Sequence, residues 1–196
     1  MSEILVNTIK KADGTGSITV PADTGTVLTT ASSLSSVPGA VTEVDMWRPS
    51  TDYTGGATDL TANWERVDDS EFSLIGTGMT ESSGIFTFPQ TGKYKVDFHL
   101  AMSLNGSCRG LFGRIFLTTD NSTYFSKSFG RAYISRVNTN VTHTSLFTSY
   151  IFDVTNTTTH KVKFNYLPDD GETGVTIRGG TSQNSTFVTF IRLGDT

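Results

Sequence analysis

Between residues 93 and 100 the chain reads KYKVDFHL, and its character switches at every step. Tyr94, Val96, Phe98 and Leu100 fall on one side, and Lys93, Lys95, Asp97 and His99 on the other. A period of two is the signature of a strand with one dry and one wet face. Just upstream, Phe86 and Phe88 alternate with Ile85 and Thr87. Pro89 has no amide hydrogen to give a ladder, so that strand stops there, and Gly92 supplies the backbone freedom of the turn. Comparable runs are expected at 43–48, 62–67, 84–88, 93–103, 109–118, 123–136, 141–154, 161–167, 174–178 and 186–193. The polar stretches TDNST, VTNTTTH, LPDDGETG and GGTSQNS separate several of them. No segment has a convincing helical period; a single helical turn is expected at 32–36. The pattern predicts an all-β head at 41–196, an antiparallel β-sandwich of the jelly-roll kind, with Tyr94, Val96, Phe98 and Leu100 in its core.

Two runs break the wet/dry rule. In RGLFGRIFLTT, Leu111, Ile115 and Leu117 share one face while Phe112 and Phe116 occupy the other. In STFVTFIRL, Phe187, Ile191 and Leu193 oppose Val188 and Phe190. A strand that is apolar on both faces is covered on both faces. The expected second cover is a partner subunit, with the N-terminal segment as the other candidate.

That N-terminal segment differs from the rest. Residues 1–40 contain no aromatic side chain, and their short apolar pieces are separated by glycine and proline. Such a stretch cannot bury a core of its own, so it is expected to be an extended arm, with SSLSSVPGA as a linker. Charged residues make up only 17% of the 196-residue chain, and threonine, serine and glycine are abundant, which again favours β structure with many turns. The formal charge is −4, and no basic run appears along the sequence, so nucleic acid is not an expected partner. The single cysteine, Cys108, excludes an internal disulfide framework and is expected to be a buried, inert thiol. The start of the chain lacks signal-peptide architecture, and no run approaches the ~20 apolar residues of a membrane helix. Five Asn-x-Ser/Thr triplets, at Asn105, Asn121, Asn140, Asn156 and Asn184, are expected to be turn chemistry rather than glycan acceptors.

The stretch GIFTFPQTGKYKVDFHLAMS resembles the signature of the globular head of complement component one, subcomponent q. STFVTFIRLGD resembles that family's closing strand, and SLFTSYIFDVTNTTTHKVKFNY has the layout of its two middle strands. The resemblance covers roughly residues 60–196. Tumour necrosis factor proteins share this jelly roll. The resemblance implies a trimer and a binding module rather than an enzyme, but no target. One departure is that no collagen-like repeat precedes the head. A three-fold assembly would place the two-faced strands near its axis, with Leu111, Phe112, Ile115, Phe116, Phe187 and Phe190 as the expected interface. The arm, VNTIKKADGTGSITVPADTGTVLTTAS, is similar to the opening of many bacteriophage fibre and virion proteins, cyanophage ones in particular. Together the two resemblances imply a virion protein made in the host cytoplasm: an anchor at residues 1–40 that engages other virion proteins, and a head.

Candidate chemistry is sparse. His99, His143 and His160 have no zinc-ligand spacing, and neither a nucleophile elbow nor a phosphate loop is present. Asp169, Asp170 and Glu172 crowd one loop, and Asp68, Asp69 and Glu71 another. Both could offer hard oxygen ligands to calcium, but a solvated turn is the simpler reading. No cofactor and no catalytic residue is expected. Tyr53, Tyr124 and Tyr133 are the candidate exposed aromatics for contact with a host-surface glycan or protein. Two functions compete: a short tail fibre or fibre tip that binds the host surface, and a capsid or tail decoration protein. An arm of 40 residues reaches at most about 130–145 Å when fully extended, which argues against a long fibre.

Overall fold

The computed structural model describes residues 41–196; the arm expected at 1–40, with its helical turn at 32–36, lies outside the described residues. The described chain forms thirteen strands: β1 (Val44–Pro49), β2 (Tyr53–Thr54), β3 (Thr58–Asp59), β4 (Trp64–Arg66), β5 (Thr80–Ser82), β6 (Ile85–Thr87), β7 (Gly92–Leu104), β8 (Cys108–Thr118), β9 (Phe125–Ile134), β10 (Thr142–Val154), β11 (Lys161–Pro168), β12 (Thr176–Ile177) and β13 (Phe187–Gly194). One 3-10 turn, Asp169–Gly171, follows β11. Each strand expected from the alternation is present. The additions, β2, β3 and β5, are two or three residues long, too short for a period of two to show.

The strands make two antiparallel sheets. In the seven-stranded sheet, β10 forms one edge and pairs with β7 over the whole of both strands. The other side of β7 is shared: β13 takes its first half and β12 its end. Beyond β13 lie β1 and then β4, and beyond β12 lies β2. The six-stranded sheet runs β5, β6, β11, β8, β9, with β3 beside β11 past the end of β6. This is a jelly-roll sandwich.

The core lies between the sheets and follows the alternation. Tyr94, Val96, Phe98, Leu100 and Met102 of β7 are all fully buried. Phe98 packs on Phe164 of β11 with ring centroids 4.9 Å apart, and Phe86 packs on Phe190 at 5.3 Å. Burying one side chain of this size contributes about 1.5–3 kcal/mol, so a cluster of such rings is the main force holding the sheets together. Leu111, Ile115 and Phe190 belong to this same core, at 0%, 0% and 1% exposure. They are therefore inside a single chain and cannot form the intersubunit contact expected of them. Phe112, Phe116 and Phe187 do lie on outer faces, half-buried.

Buried carboxylates tie the loop before β5 to β1. Asp45, 1% exposed, accepts hydrogen bonds from the Met79 amide at 2.7 Å and the Trp47 indole at 2.8 Å, and pairs with Arg66 at 2.9 Å. Glu43 accepts from the amides of Thr77 and Gly78 and from Gln90. Arg48, fully buried, meets Glu65, Asp68 and Asp69 at 2.8, 2.8 and 3.0 Å. These groups are inside because each of them is bonded there.

At the open side of the sandwich, β9 and β10 are edge strands of opposite sheets and close on one another. Gly113 of β8 and Gly130 of β9 sit side by side. A Cβ on Gly113 would come 2.7 Å from Leu146 Cδ1, and one on Gly130 would come 2.7 Å from the Phe147 carbonyl oxygen. The missing side chains let Leu146 of β10 enter the core. Ser128 and Thr148 join the two edges through a 2.6 Å hydroxyl contact.

Candidate functional site

The outer face of the six-stranded sheet carries a checkerboard of rings and cations. On β9, Phe129, Arg131 and Tyr133 alternate outward; on β8, Phe112, Arg114 and Phe116 do the same. Cross-strand register sets Phe112 opposite Arg131, Arg114 opposite Phe129, and Lys163 of β11 opposite Phe116. The Arg131 guanidinium stands 4.9 Å from the centre of the Phe112 ring, and Arg114 5.2 Å from Phe116. Lys163 lies 5.7 Å from Phe116 and 4.6 Å from Tyr124. Phe112 and Phe129 meet edge to face at 5.9 Å. Where β9 bulges, Lys127 lies 5.2 Å over Phe125. A cation over a ring face is attracted to its negative quadrupole, so the second face of β8 is covered by cations of its own chain.

Three of these aromatics stay largely in solvent: Phe125 is 57% exposed, Phe129 62% and Tyr133 70%. Asp169 sits between two guanidiniums, 3.6 Å from Arg109 and 3.7 Å from Arg131. At the other end of the face, burial alone would raise the pKa of Asp59. Hydrogen bonds from Lys163 and Asn165 outweigh that and hold it below the usual carboxylate range.

Of the expected calcium ligands, Asp169 is thus engaged by arginines, and Glu172 accepts the Gly174 amide at 2.7 Å. The Asp170 side chain lies outside the described residues. Asp68 and Asp69 serve Arg48. Among the described residues no group of three or more His, Cys, Asp or Glu side chains is arranged to hold a metal. His160 is buried and stacks on Phe152. The buried Cys108 thiol points to the Gly110 carbonyl at 3.2 Å.

The three candidate tyrosines part company. The Tyr53 hydroxyl accepts the Ala62 amide and its ring packs on the core. Tyr124 lies half-buried beneath Lys163. Tyr133 alone stands free, and on a strand rather than a loop. The alternation in FGRAY, which brings Phe129, Arg131 and Tyr133 to one face, was present in the sequence and is the signal that locates this surface.

The outer face of the seven-stranded sheet is different. Across it run Phe147, His99 and Phe187 in one row, and Ile151, Lys95 and Ile191 in another. Phe147 is 54% exposed and Ile151 60%. His99 stacks on Phe187 at 5.1 Å, and its Nδ1 lies 2.8 Å from the Ser185 carbonyl oxygen. Ser149 donates to Asp97, which also pairs with Lys95 at 2.6 Å.

Neither a family model nor a curated protein sequence matches this chain. Solved structures do match. Murine APRIL at pH 5.0 superposes with a TM-score of 0.54 at 12% identity, covering 77% of this chain and 98% of the other. The Eiger TNF of S. frugiperda gives 0.53 at 10% identity, covering 78% and 93%. At these identities the likeness establishes the fold: a tumour-necrosis-factor-like jelly roll.

Proposed function

We propose that the protein is a non-enzymatic structural protein of a bacteriophage virion, a trimeric short tail fibre or fibre-tip module that contacts the host surface. The anchor reading rests on residues 1–40, whose sequence is similar to the opening of phage fibre proteins. The trimer reading rests on one observation. Phe147 and Ile151 lie exposed on the same sheet face as the Phe187–His99 stack, a face that the described residues leave uncovered. Apolar surface of this kind on one sheet favours association, and closed three-fold symmetry hides the same patch on every copy. The interface then falls on the seven-stranded sheet, and Phe187 is the one member of the expected set that it retains.

A decoration protein on the capsid or tail is the second reading, favoured by the absence of a shaft between arm and head. Immuno-electron microscopy of purified particles with an antibody to the head separates the two. Label confined to the tail end at a few copies supports the fibre, and dense label over the capsid supports decoration. Particles without label overturn both.

A further inference from the structure

We propose that the outer face of β8 and β9 is a binding site for an acidic saccharide chain, of the polyuronate class. Three observations meet there. The exposed rings of Phe129 and Tyr133 offer flat apolar faces, on which the C–H face of a sugar ring can stack. Arg114 stands across from Phe129 and Arg131 lies between Phe129 and Tyr133 along β9, so carboxylates carried at intervals along a chain find a guanidinium beside each stacking position. Finally, Arg131 and Tyr133 border a groove of about 480 Å³ between the ends of β9 and β10, whose other wall carries the hydroxyls of Thr142, Thr144 and Ser145. Hydroxyl-rich walls beside a ring and a guanidinium suit a polyhydroxylated acid better than a lipid surface or a stack of bases.

Charge complementarity is local. The whole chain carries −4, and on this face Asp169 lies near Arg131 and Asp59 pairs with Lys163, so the attraction for a carboxylate rests on the close contacts with Arg114 and Arg131 rather than on a long-range field. The stacking face of β8 and β9 lies on the sheet opposite the proposed trimer contact, whereas the groove shares β10 with that contact. This inference rests on the host-attachment reading and names the ligand class for it.

The test is titration calorimetry of the full chain with polymannuronate, with neutral dextran, poly(dT) and phosphatidylglycerol vesicles as comparisons. Polymannuronate is expected to bind, with an affinity that falls steeply as salt is raised, and dextran is expected not to bind. Phe129→Ala, Arg131→Ala and Tyr133→Ala should each weaken binding by roughly tenfold or more, the order of one lost stacking or charge-assisted contact. Thr80→Ala, at the far edge of the same sheet, should not. All four positions are at the surface, and an unchanged thermal melt verifies that each variant is folded. No binding of polymannuronate, equal binding of dextran, tighter binding of poly(dT) or vesicles, or variants that bind like the parent would overturn the proposal. Failure of sugar binding in protein that still incorporates into particles removes this inference alone, whereas absence from particles removes the virion reading.

Discussion

A single carboxylate, Asp45, holds together three parts of the chain. It receives the Met79 amide, the Trp47 indole and the Arg66 guanidinium from a position 1% exposed to solvent. Asp45→Ala leaves a buried amide without an acceptor and a cation without its partner, and should cost about 3 kcal/mol. Urea denaturation would show this as a lower midpoint at unchanged slope. Nothing in the sequence distinguishes Asp45 from a solvent-facing acid on a strand, because two of these three partners, Arg66 and Met79, are 21 and 34 residues away. Asp120 is a local case. Its carboxylate accepts the Thr118 hydroxyl and the amides of Thr123 and Ser122, which hold its pKa far below the usual carboxylate range. A folded-state pKa below the unfolded one means the turn is fully stabilised above the ordinary aspartate range. That stabilisation fades as pH falls through the depressed value. Amide shifts of Ser122 and Thr123 followed by NMR should titrate with a midpoint well below that of a free aspartate; an ordinary midpoint would refute the assignment.

Among the elements, β7 was the most legible, since its alternation is unbroken and its dry face became the centre of the core. β8 was legible as a strand but misleading about its surroundings. Its pattern states that both faces are apolar; it is silent on what covers them. Cover by Arg131, Arg114 and Lys163 depends on cross-strand register, which a single strand does not encode. For the same reason the cationic face escaped notice: its charges come from three strands and never form a run. The β8–β9 glycine pair yields a prediction at this scale. In Gly130→Ala the new Cβ meets the Phe147 carbonyl oxygen at 2.7 Å, and backbone cannot move aside as a side chain can. Overpacking of this kind costs about 1–3 kcal/mol. In Gly113→Ala the nearest atom is the mobile end of Leu146, so its loss should be the smaller. Thermal melts of the two variants should fall in that order; the reverse order would mean that Leu146 is the more rigid neighbour.

For the whole molecule, light scattering should give about three times the 21.2 kDa chain mass. Phe147→Asp or Ile151→Asp, placing a charge on the uncovered face, should reduce it to one chain mass without unfolding the head. A parent protein monomeric at micromolar concentration would end the trimer reading. Deleting residues 1–40 should leave a folded head that fails to enter particles; retained incorporation would place the anchor elsewhere. One feature of the sheet order bears on how the protein is made. β13, the last of the thirteen strands in chain order, is an interior strand, flanked by β7 on one side and β1 on the other. Until residue 187 has emerged, β1 and β4 have no route into the seven-stranded sheet. The first and last strands of the head must then find each other across the whole intervening chain, a slow kind of closure. Translation can therefore deliver no partial head. A message cut short before β13 yields product with unpaired strands, fit for proteolysis or aggregation rather than assembly.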